Sequence, residues 1–250
     1  MTLREWLEEG PFTLALCSGF FGFYAHCGFV TALEEAGLRP SAMAGSSAGA
    51  LVAGLWASGR DGAEIGEQLL SLRRQDFWDP APWAGAGLLR GRLFRERLDL
   101  NLGVASIEEC RVPLAVSLWG VRERATVVRT SGPLAAILHA SCCVPGLFQP
   151  VELEGKRYLD GGIADRPALD AVAAVAAPGE RVLHHHLTSR SPWRKKGSVG
   201  LRLPEREGLV PVVVDGLPRC GPFKMDRGPA AMARAAEGLR EALDLPPLAS

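Results

Sequence analysis

Gly45-Ser46-Ser47-Ala48-Gly49 forms the pattern G-x-S-x-G between an apolar strand candidate and a run of small residues with helical character. The pattern suits nucleophilic attack on an acyl carbon. A tight strand-to-helix turn lifts the serine hydroxyl above the sheet, beside the backbone N–H groups that open the next helix. Glycines on either side remove Cβ atoms that would collide in such a turn. The helix N-terminus also favours negative charge developing there. Ser47 is therefore the candidate nucleophile, with Gly45, Ala48 and Gly49 shaping its turn. The same string also reads as a plain flexible turn, and its strand–helix setting is what favours the first reading.

A neutral hydroxyl is a poor nucleophile and needs a base. Tyr158-Leu159-Asp160-Gly161-Gly162 places Asp160 at the end of a short strand, where Gly161 and Gly162 let the backbone turn away. Aspartate before glycine is also a common turn residue, so the string alone decides little. Acyl transfer further needs main-chain donors aimed at the oxygen that turns negative. Cys17-Ser18-Gly19-Phe20-Phe21-Gly22 lies between an apolar strand and a helix, where such donors converge, and Ser18, Gly19, Phe20 and Gly22 are the candidates.

Histidine offers a rival base. His184, His185 and His186 follow Asp160, which leaves a Ser–Asp–His order of the α/β-hydrolase kind open. Against it, Ser47 comes so early that too few strands precede the turn. On a strand, His184 and His186 share one face and His185 takes the other. They are expected to be sheet residues with satisfied hydrogen bonds, and no further ligands cluster near them to hold a metal. His26 and His139 are expected to pack on helices.

These side chains need a framework. Apolar runs and turn residues predict strands over 12–17, 42–45, 112–119, 125–128, 181–187 and 209–214. They predict helices over 23–36, 48–57, 168–175 and 229–243, a further helix from Pro133 that stops before Pro145, and a helix opened by Asp61 and Glu64. Glu154-Gly155 predicts a hairpin turn. Residues 76–91 and 188–206 read as loops. The alternation predicts one α/β domain over 1–250, with a mostly parallel central sheet and helices on both faces.

Taken in order, the three motifs resemble the patatin-like phospholipase family, whose marks are an N-terminal glycine-rich oxyanion loop, then G-x-S-x-G, then D-G-[GA]. Ala32-Leu33-Glu34-Glu35-Ala36-Gly37 and Ala140 to Pro150 (ASCCVPGLFQP) are similar to the family's helix after that loop and its approach to the aspartate. The resemblance covers residues 12–175. It implies a three-layer patatin-like fold and a serine lipid acyl-hydrolase acting on a phospholipid or other acyl ester. It also implies a Ser47–Asp160 dyad, an acyl-enzyme and no cofactor or metal. Burial would have to raise the Asp160 pKa toward working pH. A lipid- or partner-binding protein on the same scaffold is the non-enzymatic alternative. Cys17 replaces the first glycine of the oxyanion motif and Phe21 the basic residue common at its fifth position, closer to the adiponutrin-like form. After Asp160, IADRP replaces an Asn-containing stretch.

Composition bounds the partners. The 250 residues are 47% hydrophobic with a formal net charge of +0, so no nucleic-acid partner is expected. The scattered cysteines read as core residues of a reducing compartment. The N-terminus lacks a signal-peptide core, and no apolar run approaches the roughly 20 residues of a membrane span. The expected location is cytoplasmic, with only peripheral membrane contact, and nothing in the sequence speaks to oligomeric state. Two stretches suit a membrane edge or, equally, a packed or solvated loop: Phe77 to Trp83 and Trp193-Arg194-Lys195-Lys196.

Overall fold

The chain folds by laying short apolar strands side by side under helices whose greasy faces cover them. In the computed structural model, residues 1–81, 87–188 and 203–247 are described. The chain runs α1 (Leu3–Glu8), β1 (Phe12–Leu16), α2 (Phe23–Glu35), β2 (Ala42–Ser46), α3 (Ala48–Ala57), α4 (Gly62–Ser71) and β3 (Gly87–Leu89). It continues with α5 (Arg92–Asn101), β4 (Leu114–Gly120), β5 (Ala125–Arg129), α6 (Leu134–Ser141), β6 (Gly146–Phe148), β7 (Val151–Leu153) and β8 (Lys156–Asp160). It ends with α7 (Leu169–Val175), β9 (Arg181–His186), β10 (Leu209–Val213) and α8 (Gly228–Leu243).

Hydrogen-bonded neighbours in the main sheet run β10-β9-β1-β2-β4-β8-β7, and β5 also pairs with β4. The first five are mutually parallel, while β5 and β8 are antiparallel to β4. Strand alternation sorts side chains by size. Leu14, Leu16, Met43, Leu114, Val116 and Leu118 belong to the large core beneath α2, α3 and α6. Ala15, Ala44 and Ala115 point the other way and pack with Ala171 and Val172 of α7. Helices thus cover both faces, with α7 seated close on a floor of alanines. Among the described residues no helix is long and apolar enough to cross a membrane.

Local signals place several elements. Asp61 and Glu64 form the reciprocal cap that opens α4, with bonds of 2.8 and 2.9 Å. Glu154 and Gly155 both take positive φ, 54° and 74°, as a two-residue hairpin requires. Two departures concern the stretch after α4. Part of the expected loop over 76–91 is β3, which pairs with β6 in a separate two-stranded sheet. The sequence reading also has no counterpart of α5, whose charged face is laced by Arg92–Glu96 and Arg95–Asp99 pairs at 2.6 and 3.1 Å. Only Leu98 of α5 is buried and most of its other residues are charged, so no apolar run marks the helix in the sequence. Trp83 and Trp193 to Lys196 lie outside the described residues.

β4 holds the key register. β5 runs along Val116–Gly120, occupying one edge. β2 pairs with Leu114 to Ser117, and β8 with Leu118 to Gly120. Both must therefore lie on the other edge, one after the other. They approach from opposite directions, so the C-terminal ends of β2 and β8 meet at successive positions, Ser46 opposite Ser117 and Asp160 opposite Leu118.

The histidines are core residues. His26 Nε2–H donates to the Cys17 carbonyl at 2.8 Å, so its Nδ1 is bare and accepts from His185 Nδ1–H at 3.0 Å. His185 stacks on Phe29 with ring centroids 4.1 Å apart. His184, on the other face, donates to the Pro167 carbonyl at 3.0 Å. Burial pushes His26 down to about 4 and His184 to about 3, and holds His185 well below the ordinary value. The unfolded chain takes up protons at these rings from about pH 6.5 downward, whereas the folded chain does so only near the depressed values. Stability is therefore expected to fall as pH drops through this window. Urea midpoints compared at about pH 7.5 and about pH 5, above most carboxylate titration, should decrease clearly. An unchanged midpoint would contradict neutral burial of these rings.

Candidate active site

Ser47 sits between the last residue of β2 and the first of α3 with φ 53° and ψ −120°, a backbone conformation that L-residues rarely adopt. The turn is forced by close packing. A Cβ on Gly49 would lie 2.0 Å from the Leu16 carbonyl oxygen, so only glycine lets α3 start against the end of β1. Just past the end of β8, a Cβ on Gly161 would meet the Ser117 carbonyl oxygen at 2.1 Å. Gly45, Ala48 and Gly162 occupy the remaining places around the two turns.

The head-on meeting of β2 and β8 unites side chains 113 positions apart: the Ser47 hydroxyl donates to Asp160 Oδ2 at 2.6 Å. The other carboxylate oxygen, Oδ1, accepts from Gly162 N–H at 2.8 Å. Both residues are buried, at 7% and 5% exposure. Such burial strengthens the bond by removing competing water.

Three consecutive residues at the C-terminal end of α6, to which the sequence reading assigns no site role, hold both partners. Ser141 Oγ accepts the Ser47 N–H at 2.9 Å and donates to the Ser117 carbonyl at 2.8 Å. The Cys142 thiol donates to the Ser47 carbonyl at 3.3 Å, and the Cys143 carbonyl accepts the Asp160 N–H at 2.9 Å. The signal was present in the string Ser141-Cys142-Cys143, but a hydroxyl that serves main chain has no sequence pattern of its own.

The candidate oxyanion donors divide. Ser18 N–H is committed to the Arg166 carbonyl at 2.7 Å and Gly22 N–H to the Gly19 carbonyl at 2.8 Å, so neither is available as proposed from sequence. Gly19 and Phe20 have no such commitment among the described residues, and both border the same pocket as Ser47 and Ala48. The place of the family's first glycine is taken by Cys17, whose sulfur accepts Leu187 N–H at 3.1 Å. Phe21, at φ 56°, lies 5.1 Å from the Phe20 ring and 6.1 Å from Phe77. The stretch after Asp160 is firmly anchored. Asp165 accepts from Ser117 Oγ at 2.6 Å and from Leu169 N–H at 2.7 Å, and buried Arg166 donates to the Leu187 carbonyl at 2.7 Å. Burial raises the Asp165 carboxyl above its ordinary range.

Above Ser47 opens a cavity of about 90 Å3, walled by Phe20, Phe21, Phe77, Trp78, Leu147 and Phe148 among others. No histidine lines it. The chemistry available is thus a hydroxyl on a carboxylate, two main-chain donors, and an apolar aromatic slot.

A family model described as patatin-like phospholipase matches residues 14–172, more than half of the chain. The chain belongs to the patatin-like phospholipase family. An uncharacterized NTE family protein of Mycobacterium tuberculosis is 34% identical over 166 residues, which is 66% of this chain and 46% of that protein. The neuropathy target esterase sws of Drosophila melanogaster is 25% identical over 186 residues, 70% of this chain and 13% of that one. The chain thus spans less than half the length of these curated relatives. The crystal structure of VipD from Legionella pneumophila superposes with a TM-score of 0.63 at 11% identity, covering 94% of this chain and 67% of that one. The fold is the three-layer patatin-like fold, with its mostly parallel sheet between helices.

Removing the Ser141 hydroxyl leaves a buried Ser47 N–H without its acceptor. Ser141→Ala is expected to lower the unfolding free energy by about 1–3 kcal/mol, measured as a reduced urea midpoint at constant slope. A loss below about 0.5 kcal/mol would mean that another acceptor takes over.

Proposed function

We propose that this patatin-like protein is a serine lipid acyl-hydrolase of the phospholipase A or esterase type, working through Ser47 and Asp160. The observation that carries the proposal is the 2.6 Å bond from the Ser47 hydroxyl to a buried carboxylate, at the floor of an aromatic pocket. Asp160 accepts the proton of Ser47 as Oγ forms its bond to the ester carbonyl carbon. Negative charge on the carbonyl oxygen falls to the N–H groups of Gly19 and Phe20 and the start of α3. When the tetrahedral species collapses, the carbon–oxygen bond to the alcohol breaks and the proton on Asp160 passes to the leaving oxygen. Water then attacks the acyl-serine, giving its proton to Asp160. Collapse returns that proton to Ser47 Oγ and releases the carboxylic acid. The Gly162 N–H on Oδ1 keeps Oδ2 turned toward the serine through both half-reactions.

A lipid-type substrate suits the pocket rim. Phe223 is 71% exposed and stands edge-on to Trp78 at 6.2 Å, while the Arg74 guanidinium lies 5.7 Å from the Trp78 ring and 5.1 Å from the Phe223 ring. Aromatic rings beside a cation favour the boundary between water and an anionic lipid surface. We therefore include peripheral contact with lipid aggregates in the proposal.

A fluorophosphonate probe should label Ser47, located by mass spectrometry of the modified peptide. Ser47→Ala and Asp160→Asn should each reduce turnover of a p-nitrophenyl ester by about a thousandfold or more while still unfolding cooperatively. Labelling at another residue, or turnover that survives Ser47→Ala, would overturn the assignment.

A further inference from the structure

The pocket above Ser47 does not end the apolar space in this part of the molecule. A second cavity of about 50 Å3 lies among α3, α4 and α5. Leu51, Leu72 and Phe94 line both spaces. We infer that these three side chains form a partition between two chambers of one acyl-binding channel, and thereby set the acyl-chain length the protein accepts. The inference rests on the acyl-hydrolase reading above and adds the size class of its substrate.

Helix geometry gives the channel its direction. Leu51 N–H bonds to the Ser47 carbonyl at 3.0 Å, placing Leu51 one turn beyond the nucleophile, and Leu55 follows one turn later. Residues four apart share a helix face. Ser47, Leu51 and Leu55 therefore make a continuous strip along α3 over about 12 Å. Ser47 borders only the first chamber, Leu51 borders both, and Leu55 only the second. An acyl chain leaving the reacting carbon along α3 meets the partition after one turn.

The partition's members differ in how firmly they are held. Leu51 is buried in the core. Phe94 is wedged edge-on to His139 at 5.6 Å and lies 6.0 Å from Phe148. Leu72 caps the C-terminal end of α4 in extended conformation, with φ −62° and ψ 128°, and is only half-buried. Beyond them the second chamber is bordered by polar groups. Gln68 Oε1 is buried there without a hydrogen-bond partner among the described residues. Arg97 is held by Asp76 at 3.0 Å, and Asn101 Nδ2 donates to the Arg97 carbonyl at 2.7 Å. A hydrocarbon tail gains nothing past that point, so the second chamber has a defined end.

With the partition shut, short and medium acyl groups fit and longer ones clash. Trimming it joins the chambers. The test measures kcat/KM for p-nitrophenyl butyrate, hexanoate, octanoate and dodecanoate with the parent protein, Leu72→Ala, Leu72→Val and Phe94→Ala. The parent is expected to fall off between octanoate and dodecanoate. Each trimmed variant should raise the dodecanoate-to-hexanoate ratio about tenfold, and adding Leu55→Phe to Leu72→Ala should abolish that gain. The ratio is internal to each variant, so a partly folded preparation does not imitate the effect, and Leu72→Val serves if the alanine variants do not fold. Calorimetric affinities of Ser47→Ala for the corresponding free fatty acids, with and without Leu72→Ala, provide an arm that needs no catalysis. Ratios and affinities that keep the parent's chain-length profile in all trimmed variants would overturn the partition. A parent protein that hydrolyses no ester, yet whose fatty-acid affinities shift toward longer chains on trimming, would instead remove the hydrolase reading and leave the channel standing.

Discussion

The site depends on two strands ending nose to nose along one edge of a third. β5 fills one side of β4, so β2 and β8 are left to divide the other side between them. Parallel β2 stops opposite Ser117, antiparallel β8 stops opposite Leu118, and the chain must leave the sheet at both places at once. That exit is possible only where side chains are missing, which accounts for Gly49 and Gly161 more directly than any chemical role does. The 2.6 Å contact between Ser47 and Asp160 is then a consequence of sheet register, with little freedom left in either side chain.

The remaining interactions stiffen this junction. Ser141, Cys142 and Cys143 touch main-chain groups of both partners, and Ser141 ties them to β4 through the Ser117 carbonyl. Ser117 spends its own hydroxyl on Asp165, which in turn caps the approach to α7. The Arg166 carbonyl holds the Ser18 amide. The loop carrying Gly19 and Phe20 is thereby referenced to the same strand as the nucleophile. A site assembled from four separate stretches of chain shares one internal ruler, β4.

Much of this was legible in the sequence, for physical reasons. Close backbone approach demands glycine, so the turns at Ser47 and Asp160 leave a visible trace, and the resemblance over 12–175 agrees with the family match over 14–172. The buried parallel strands were readable as short apolar runs, and His185 facing away from His184 follows from strand alternation. Other features left no trace. α5 is charged on its exposed sides and buries only Leu98, so too few apolar residues mark it as an element. Which amides of 18–22 are already engaged depends on the distant carbonyl of Arg166 and on a local turn at Gly19, neither of which a motif encodes. Strand order was equally hidden, since it is decided by packing between elements far apart in the chain.

The backbone at Ser47 carries one more implication. Its φ of 53° with ψ of −120° suits glycine far better than serine. A residue without a side chain there would relax the turn, by on the order of 1–3 kcal/mol, while abolishing any hydroxyl chemistry. Durability and reactivity therefore pull on a single position in opposite directions. A lineage released from its reaction would be expected to drift toward the sturdier, silent form at that place first.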